Sequence, residues 1–199
     1  MATHASLTGA ELHEPKGVES ATAGEVYVAN GSGSGVWDLI DYRTVPAGWI
    51  VGTAFTKSNT EGTYTTTIPL DDTIPRNTEG TEVLNLAYTP KTSTSLLRIQ
   101  ASIFCNSGDF NYPMIGALFK DSDASALYTT IKPISYATYK EPTPMLFDFY
   151  EVSGSTSART YKIRIGTEAG VTFGFNKSYN TQYFGNTIYS LLSITEIKQ

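Results

Sequence analysis

The sequence predicts an all-β chain, a sandwich or barrel of roughly ten strands, and three observations predict it. From Ala47 onward, short runs of alternating apolar and polar residues follow one another with Gly and Pro between them. No stretch with helical periodicity is long enough to make an ordinary helix. The composition also favours strands: Tyr numbers 13 and Ser and Thr are dense, while charged residues are 17% of the chain, below the usual quarter. A chain of 199 residues buries roughly 70% of its unfolded surface, which supports one sizeable core without metal or disulfide.

Residues 1–47 read as an extended arm. Thr8-Gly-Ala-Glu11 has capping-box spacing, but Pro15 and Gly17 allow a short helix at most. Glu25 to Ala29 reads as a short strand, Asn30-Gly31 as a hairpin turn, Gly35 to Trp37 as the return, and Gly31-Ser-Gly-Ser-Gly35 as flexible linker. So little apolar material makes no core of its own, so the arm is expected to order by lying on something else. Leu7, Leu12, Val18, Val26, Tyr27 and Trp37 are its expected contacts.

Residues 48–199 hold the expected strands: 49–55, 63–68, 82–88, 95–105, 113–120, 127–133, 144–152, 159–166, 171–175 and 187–198. The passage Thr67 to Ile99 reads as an antiparallel strand pair with its turns. Pro69 and Pro75 exclude helix around Asp71-Asp72, and Asn77-Thr-Glu-Gly80 has turn chemistry, Asn bonding its own backbone and Gly accepting positive φ. Leu84, Leu86 and Tyr88 share one face, and after Pro90 so do Leu97, Ile99, Ala101, Ile103 and Cys105. In the strand from Arg159, Tyr161, Ile163 and Ile165 point inward and Lys162 and Arg164 outward. The last strand differs, because Ile188, Leu192 and Ile194 lie on one face and Tyr189, Leu191 and Ile197 on the other. A strand apolar on both faces needs cover on both. One cover is the core; the second is a loop or another subunit.

Charge and cysteine content exclude several classes. A net charge of −5 and a pI near 5.0, with no basic stripe, argue against a nucleic-acid partner. Cys105 is single and falls on the apolar side of its strand, so it reads as a buried small hydrophobe in a protein folded in a reducing compartment. The sequence shows no membrane-length apolar run and no secretory start, so neither membrane nor standard secretion is expected.

The span Ile68-Pro-Leu-Asp-Asp-Thr-Ile-Pro-Arg-Asn-Thr-Glu-Gly-Thr-Glu-Val-Leu84, its sequel Tyr88-Thr-Pro-Lys-Thr-Ser93 and the ending Ser193-Ile-Thr-Glu-Ile197 resemble a module of tailed-bacteriophage fibre and virion proteins. That module is similar to trimeric jelly-roll heads of the tumour-necrosis-factor and C1q type. Independently, Leu7-Thr-Gly-Ala-Glu-Leu-His-Glu-Pro-Lys-Gly-Val18, followed by Val26 to Gly31 and Gly35-Val-Trp37, resembles a leader of phage head-fibre and other virion proteins. The resemblance implies an antiparallel jelly-roll sandwich behind an N-terminal arm, and a homotrimer with the last strand near the threefold axis. It implies no catalysis.

Sites for chemistry are correspondingly few. His4 and His13 both lie in the arm, away from any oriented triad; three copies of His13 about a threefold axis have donor chemistry for zinc, but packing on a partner surface is the reading adopted. Asp121 and Asp123 lack the Gly and Glu of a calcium loop, and Asp71-Asp72 reads as a turn. Gly31 to Gly35 lacks the Lys-Ser or Lys-Thr of a phosphate loop. Tyr128, Tyr136, Tyr139, Tyr179 and Tyr183 allow a host-saccharide contact, with packing the commoner role. No catalytic residue, metal or cofactor is assigned. The reading is a virion structural protein assembled in the host cytoplasm, a capsid decoration or cement protein or short head fibre, with the major capsid protein or another virion protein as partner. Leu12, His13, Pro15, Val18, Tyr27 and Trp37 are the expected docking residues, and Ile188, Tyr189, Leu191, Leu192 and Ile194 the expected trimer interface and core. The alternative, a receptor-binding tail-fibre tip, normally needs a shaft of heptads or β-repeats, and none is present.

Overall fold

Alternation decides which side of each strand turns inward, and pairing then decides the sheets. The computed structural model describes residues 21–29, 32, 35–40, 42, 43, 45–109, 111–132, 142–179 and 181–199. Twelve strands run through them: β1 (Glu25–Ala29), β2 (Gly35–Leu39), β3 (Ile50–Ser58), β4 (Gly62–Tyr64), β5 (Thr81–Tyr88), β6 (Leu96–Ser107), β7 (Met114–Lys120), β8 (Tyr128–Lys132), β9 (Thr143–Val152), β10 (Arg159–Thr167), β11 (Phe173–Phe175) and β12 (Ser190–Ile197). A 3₁₀ turn at Phe184–Asn186 precedes β12. Among the described residues no helix is long and apolar enough to cross a membrane.

The main strands pair in a nested series, β3 with β12, β5 with β10, β6 with β9 and β7 with β8, all antiparallel. This is a long hairpin rolled over on itself. It closes into two sheets, β3-β12-β6-β9 and β5-β10-β7-β8, with β11 and β4 continuing the first beyond the far end of β6. The fold is therefore an antiparallel jelly-roll sandwich, as expected. The arm hairpin β1-β2 forms a separate two-stranded sheet.

Between the sheets lies one core. Leu97, Ile99, Ile103, Cys105, Leu192 and Ile194 from the first sheet meet Tyr161, Ile163, Ile165 and Leu118 from the second, all fully buried. Cys105 is a free, buried thiol whose pKa burial pushes up to about 11, so it packs as an apolar group. Tyr161 spans the layer and donates its hydroxyl to Glu151, which also pairs with Lys120 at 2.9 Å. Satisfying that hydroxyl makes a fully buried tyrosine tolerable.

Several boundaries differ from the sequence reading, each for a physical reason. The passage Thr67 to Ile99 is not one strand pair: β5 bonds to β10, while β6 bonds to β12 and β9 in the other sheet. The loop through Pro90 is thus a crossover between layers. The expected strand over 63–68 is only three residues, Gly62–Tyr64, because the chain then leaves the sheet edge and lies across the outside of the second sheet. That strap buries Ile68 against Ile115, Ala117 and Phe119 on the outer face of β7. Asn77 does not bond its own backbone. Its amide instead donates to the carbonyls of Ser122 (3.2 Å) and Asp123 (3.0 Å), stapling the strap to the next loop. Gly80 ends the strap at φ +62°, where a Cβ would sit 2.8 Å from the Ile165 carbonyl. Arg164, outward as expected, donates to the carbonyls of Glu79 (2.7 Å) and Gly80 (2.8 Å) and clamps that end. The last strand begins at Ser190 rather than Thr187, since Thr187 N–H closes the 3₁₀ turn onto the Phe184 carbonyl.

Glu196 holds the crossover. Its side chain is fully buried on the inner face of β12, where its carboxylate accepts from Tyr88 Oη (2.7 Å), Lys91 N–H (2.8 Å) and Thr92 N–H (3.2 Å). A Cβ at Gly52 would lie 2.0 Å from the Tyr88 hydroxyl, so only glycine leaves room for this contact. Burial pushes the Glu196 carboxyl up, but hydrogen bonds from Ser95, Tyr88, Lys91 and Thr92 outweigh it and hold the group below its ordinary 4.5. A depressed folded-state pKa contributes stability that is complete above the unfolded value and lost as pH falls through the folded one. Glu196→Ala orphans several donors and is expected to cost about 3 kcal/mol at neutral pH. In urea titrations at a series of pH values, the gap between wild type and Glu196→Gln is expected to shrink below pH 4.5; a constant gap contradicts the charged clamp.

Candidate functional site, an uncovered sheet face

The second sheet carries the strap over its outer face. The first has no described element over the corresponding side of β3-β12-β6-β9. Registers place its outward residues in rows across the four strands: Ile50, Ile197, Leu96 and Val152; then Thr53, Thr195, Arg98 and Tyr150; then Phe55, Ser193, Gln100 and Asp148; then Lys57, Leu191, Ser102 and Leu146. Phe55 is 69% exposed, Leu146 64% and Val152 60%, so large apolar groups stand in solvent. Scattered exposed apolar residues are ordinary, whereas this face has one row that is apolar throughout and, at its other end, Leu191 and Leu146 beside Ser102 and Lys57. Between Leu146 and Leu191 a groove of about 340 Å³ is also lined by Gln100, Ser102, Asp148 and Ser193.

The polar middle of the face is self-contained. Arg98 donates from Nε (2.8 Å) and Nη2 (2.7 Å) to the two carboxylate oxygens of Asp148, a closed fork. Tyr150 lies 5.3 Å from the guanidinium, ring toward it. The Arg98 hydrogen bond holds the Asp148 carboxyl below its usual value. It raises Arg98 in turn, so both groups stay ionised.

The residues expected for the trimer interface and core divide between the two faces of β12. Leu192 and Ile194 are fully buried between the sheets. Leu191 is half-buried on the outer face, in the row with Ser102 and Lys57. Tyr189 precedes the strand, half-exposed, with the Lys57 ammonium 5.6 Å from its ring centroid. Ile188 is half-buried in the connection from the 3₁₀ turn. Phe55, Leu146, Tyr150 and Val152 were missed by sequence reasoning. The signal was present in Pro144 to Val152, where both alternate sets carry apolar residues, the same two-faced pattern read only in the last strand.

Of the expected docking residues, Tyr27 and Trp37 face one another across the β1-β2 register, edge to face at 5.6 Å. Val26, Val28 and Val36 occupy the opposite face of the hairpin, with Val36 61% exposed. Asp38 shares that face, opposite Val26, and an isolated two-stranded hairpin is marginal in water. Leu7, Leu12, His13, Pro15 and Val18, with His4, positions 30, 31, 33 and 34 of the turn and linker, and Tyr136 and Tyr139, lie outside the described residues.

The remaining candidates are occupied by structure. Asp121 Oδ1 accepts Thr160 N–H at 2.7 Å, and Asp71 Oδ1 accepts both Thr73 N–H and Oγ1. Among the described residues no three His, Cys, Asp or Glu side chains converge on a point. Tyr128 packs on Phe147 and Phe149, and Tyr183 on Phe184. Tyr179 is half-buried.

No protein-family model matches the chain, and no curated protein matches it. Among solved structures, it is similar to the infectious bursal disease virus VP2 subviral particle, with 8% identity and a TM-score of 0.36 over 86% of this chain and 43% of that one. It is also similar to the infectious bursal disease virus Gx strain structure, with 9% identity and a TM-score of 0.34 over 83% of this chain and 41% of that one. The chain thus spans about two fifths of the length of those structures.

The two sides of the first sheet should respond differently to substitution. Leu192→Ala is expected to cost about 3 kcal/mol through the cavity it leaves. Leu146→Ser and Phe55→Ser are expected to cost less than about 1 kcal/mol in dilute solution, because their side chains start in water. Urea unfolding separates the cases, and equal losses would mean that the outer face is covered within the protomer.

Proposed function

We propose that this chain is a structural protein of a tailed-bacteriophage virion, a capsid decoration or cement protein or short head fibre. In this reading the sandwich assembles as a homotrimer through the β3-β12-β6-β9 face. The arm, residues 1–47, binds the major capsid protein or another virion protein. The observation that carries the proposal is the face that no described element covers, with a fully apolar row at one end, Leu191 and Leu146 toward the other, and a closed ion pair between them. The two leader and module resemblances supply the virion context. The hairpin with Tyr27-Trp37 on one face and three valines on the other supports docking by the arm.

The mechanism is mechanical. A trimer ties three weak arms together, so that after one binds, the other two bind at raised effective concentration. A ligand that bridges subunits only in the assembled shell shifts the equilibrium toward that shell. The rigid part is the sandwich, and the adaptable part is the arm.

Two measurements test this reading. Native mass of the purified chain at micromolar concentration is expected to be that of a trimer, and a stable monomer overturns the assembly. Removing residues 1–45 is expected to leave a folded trimer that no longer sediments with particles; retained particle binding overturns the role given to the arm.

A further inference from the structure

Resting on the reading of the β3-β12-β6-β9 face as the contact between copies, we propose that the Arg98–Asp148 pair is its specificity element. Closed within each protomer, the pair lets the face be buried when both charges are present or both absent, and opposes burial when one stands alone. The placement carries this. On β12, β6 and β9 the outward positions are Leu191, Ser193, Thr195 and Ile197; Leu96, Arg98, Gln100, Ser102 and Phe104; Pro144, Leu146, Asp148, Tyr150 and Val152. Arg98 and Asp148 are the charged residues among them, and Lys57 stands at the rim on edge strand β3.

An identical copy is the occupant that fits this pattern. A strongly acidic or basic partner would find no unpaired counter-charge on the central strands, whereas the neutral surface of a second copy in a threefold ring meets no charge penalty. In the free protomer, side-chain exposures of 36% for Arg98 and 45% for Asp148 leave the pair well solvated, where such pairs add little to stability. Burial against a copy changes the balance. The fork holds both charges together as water leaves, while removal of one partner leaves an uncompensated buried charge. Tyr150, stacked on the guanidinium, fixes the fork for that event. The pair therefore acts on assembly and not on the fold.

The test compares wild type, Asp148→Asn, Arg98→Leu and the double variant Arg98→Leu/Asp148→Leu by sedimentation velocity over a concentration series, with thermal melts of dilute samples to read the fold. The single variants are expected to melt like wild type and to associate at least about tenfold more weakly. The double variant is expected to associate as tightly as wild type or more so, because two apolar groups replace a paired ion couple. If wild type associates and the single variants do so equally well, the role is wrong. A double variant as weak as the singles also overturns it, since the pair would then act through its own contacts and not through neutrality. A wild-type chain that is monomeric throughout overturns the contact between copies, and this role with it.

Discussion

A two-sheet sandwich has two outer faces as well as a core, and the described parts of this chain cover only one of them. Eight strands in nested pairs fill the space between the sheets with aliphatic side chains and, among others, Phe147 and the spanning Tyr161. The strap through Ile68 then seals the outside of β7, locked by Arg164 at one end and by Asn77 along its length. Among the described residues nothing equivalent lies over β3-β12-β6-β9.

The crossover from β5 to β6 shows how a single buried charge supports this arrangement. A carboxylate without partners would not remain ionised between sheets. Glu196 does so because the loop it holds supplies backbone N–H groups, a tyrosine hydroxyl and Ser95. This also gives a physical reason for two separated pieces of sequence, Tyr88 to Ser93 and Ser193 to Ile197, to belong together: one is the cradle and the other carries the charge. A chain that lost Glu196 would still have alternating strands, but its transfer from one layer to the other would lose its anchor.

Much of this was legible in the residues. Period-two alternation placed Leu97 through Cys105 and Tyr161 through Ile165 on the inner faces, and the two-faced last strand lies in the sheet whose outer face no described element covers. Pairing was not legible, because alternation says which face is dry and not which strand lies alongside. For that reason Thr67 to Ile99 read as a strand pair when its halves belong to different sheets. Asn77 read as a local turn residue because sequence gives no access to a partner loop 45 residues away. The face itself was half legible. Leu191 announced it, whereas Phe55 and Leu146 gain meaning only once β12 is flanked by β3 and β6, with β9 beyond.

In the proposed function, arm and sandwich divide the labour, with affinity distributed over weak segments and geometry held by a rigid body. The account turns on whether the open face meets another copy of itself. Hydroxyl-radical labelling of the full chain across a concentration series, read residue by residue, tests this most directly. Phe55, Leu146 and Tyr150 are expected to lose reactivity together as concentration rises, while Phe184, 78% exposed on the loop before β12, and Ile131 on β8 keep theirs. Unchanged reactivity of the three face residues at every concentration would contradict the account.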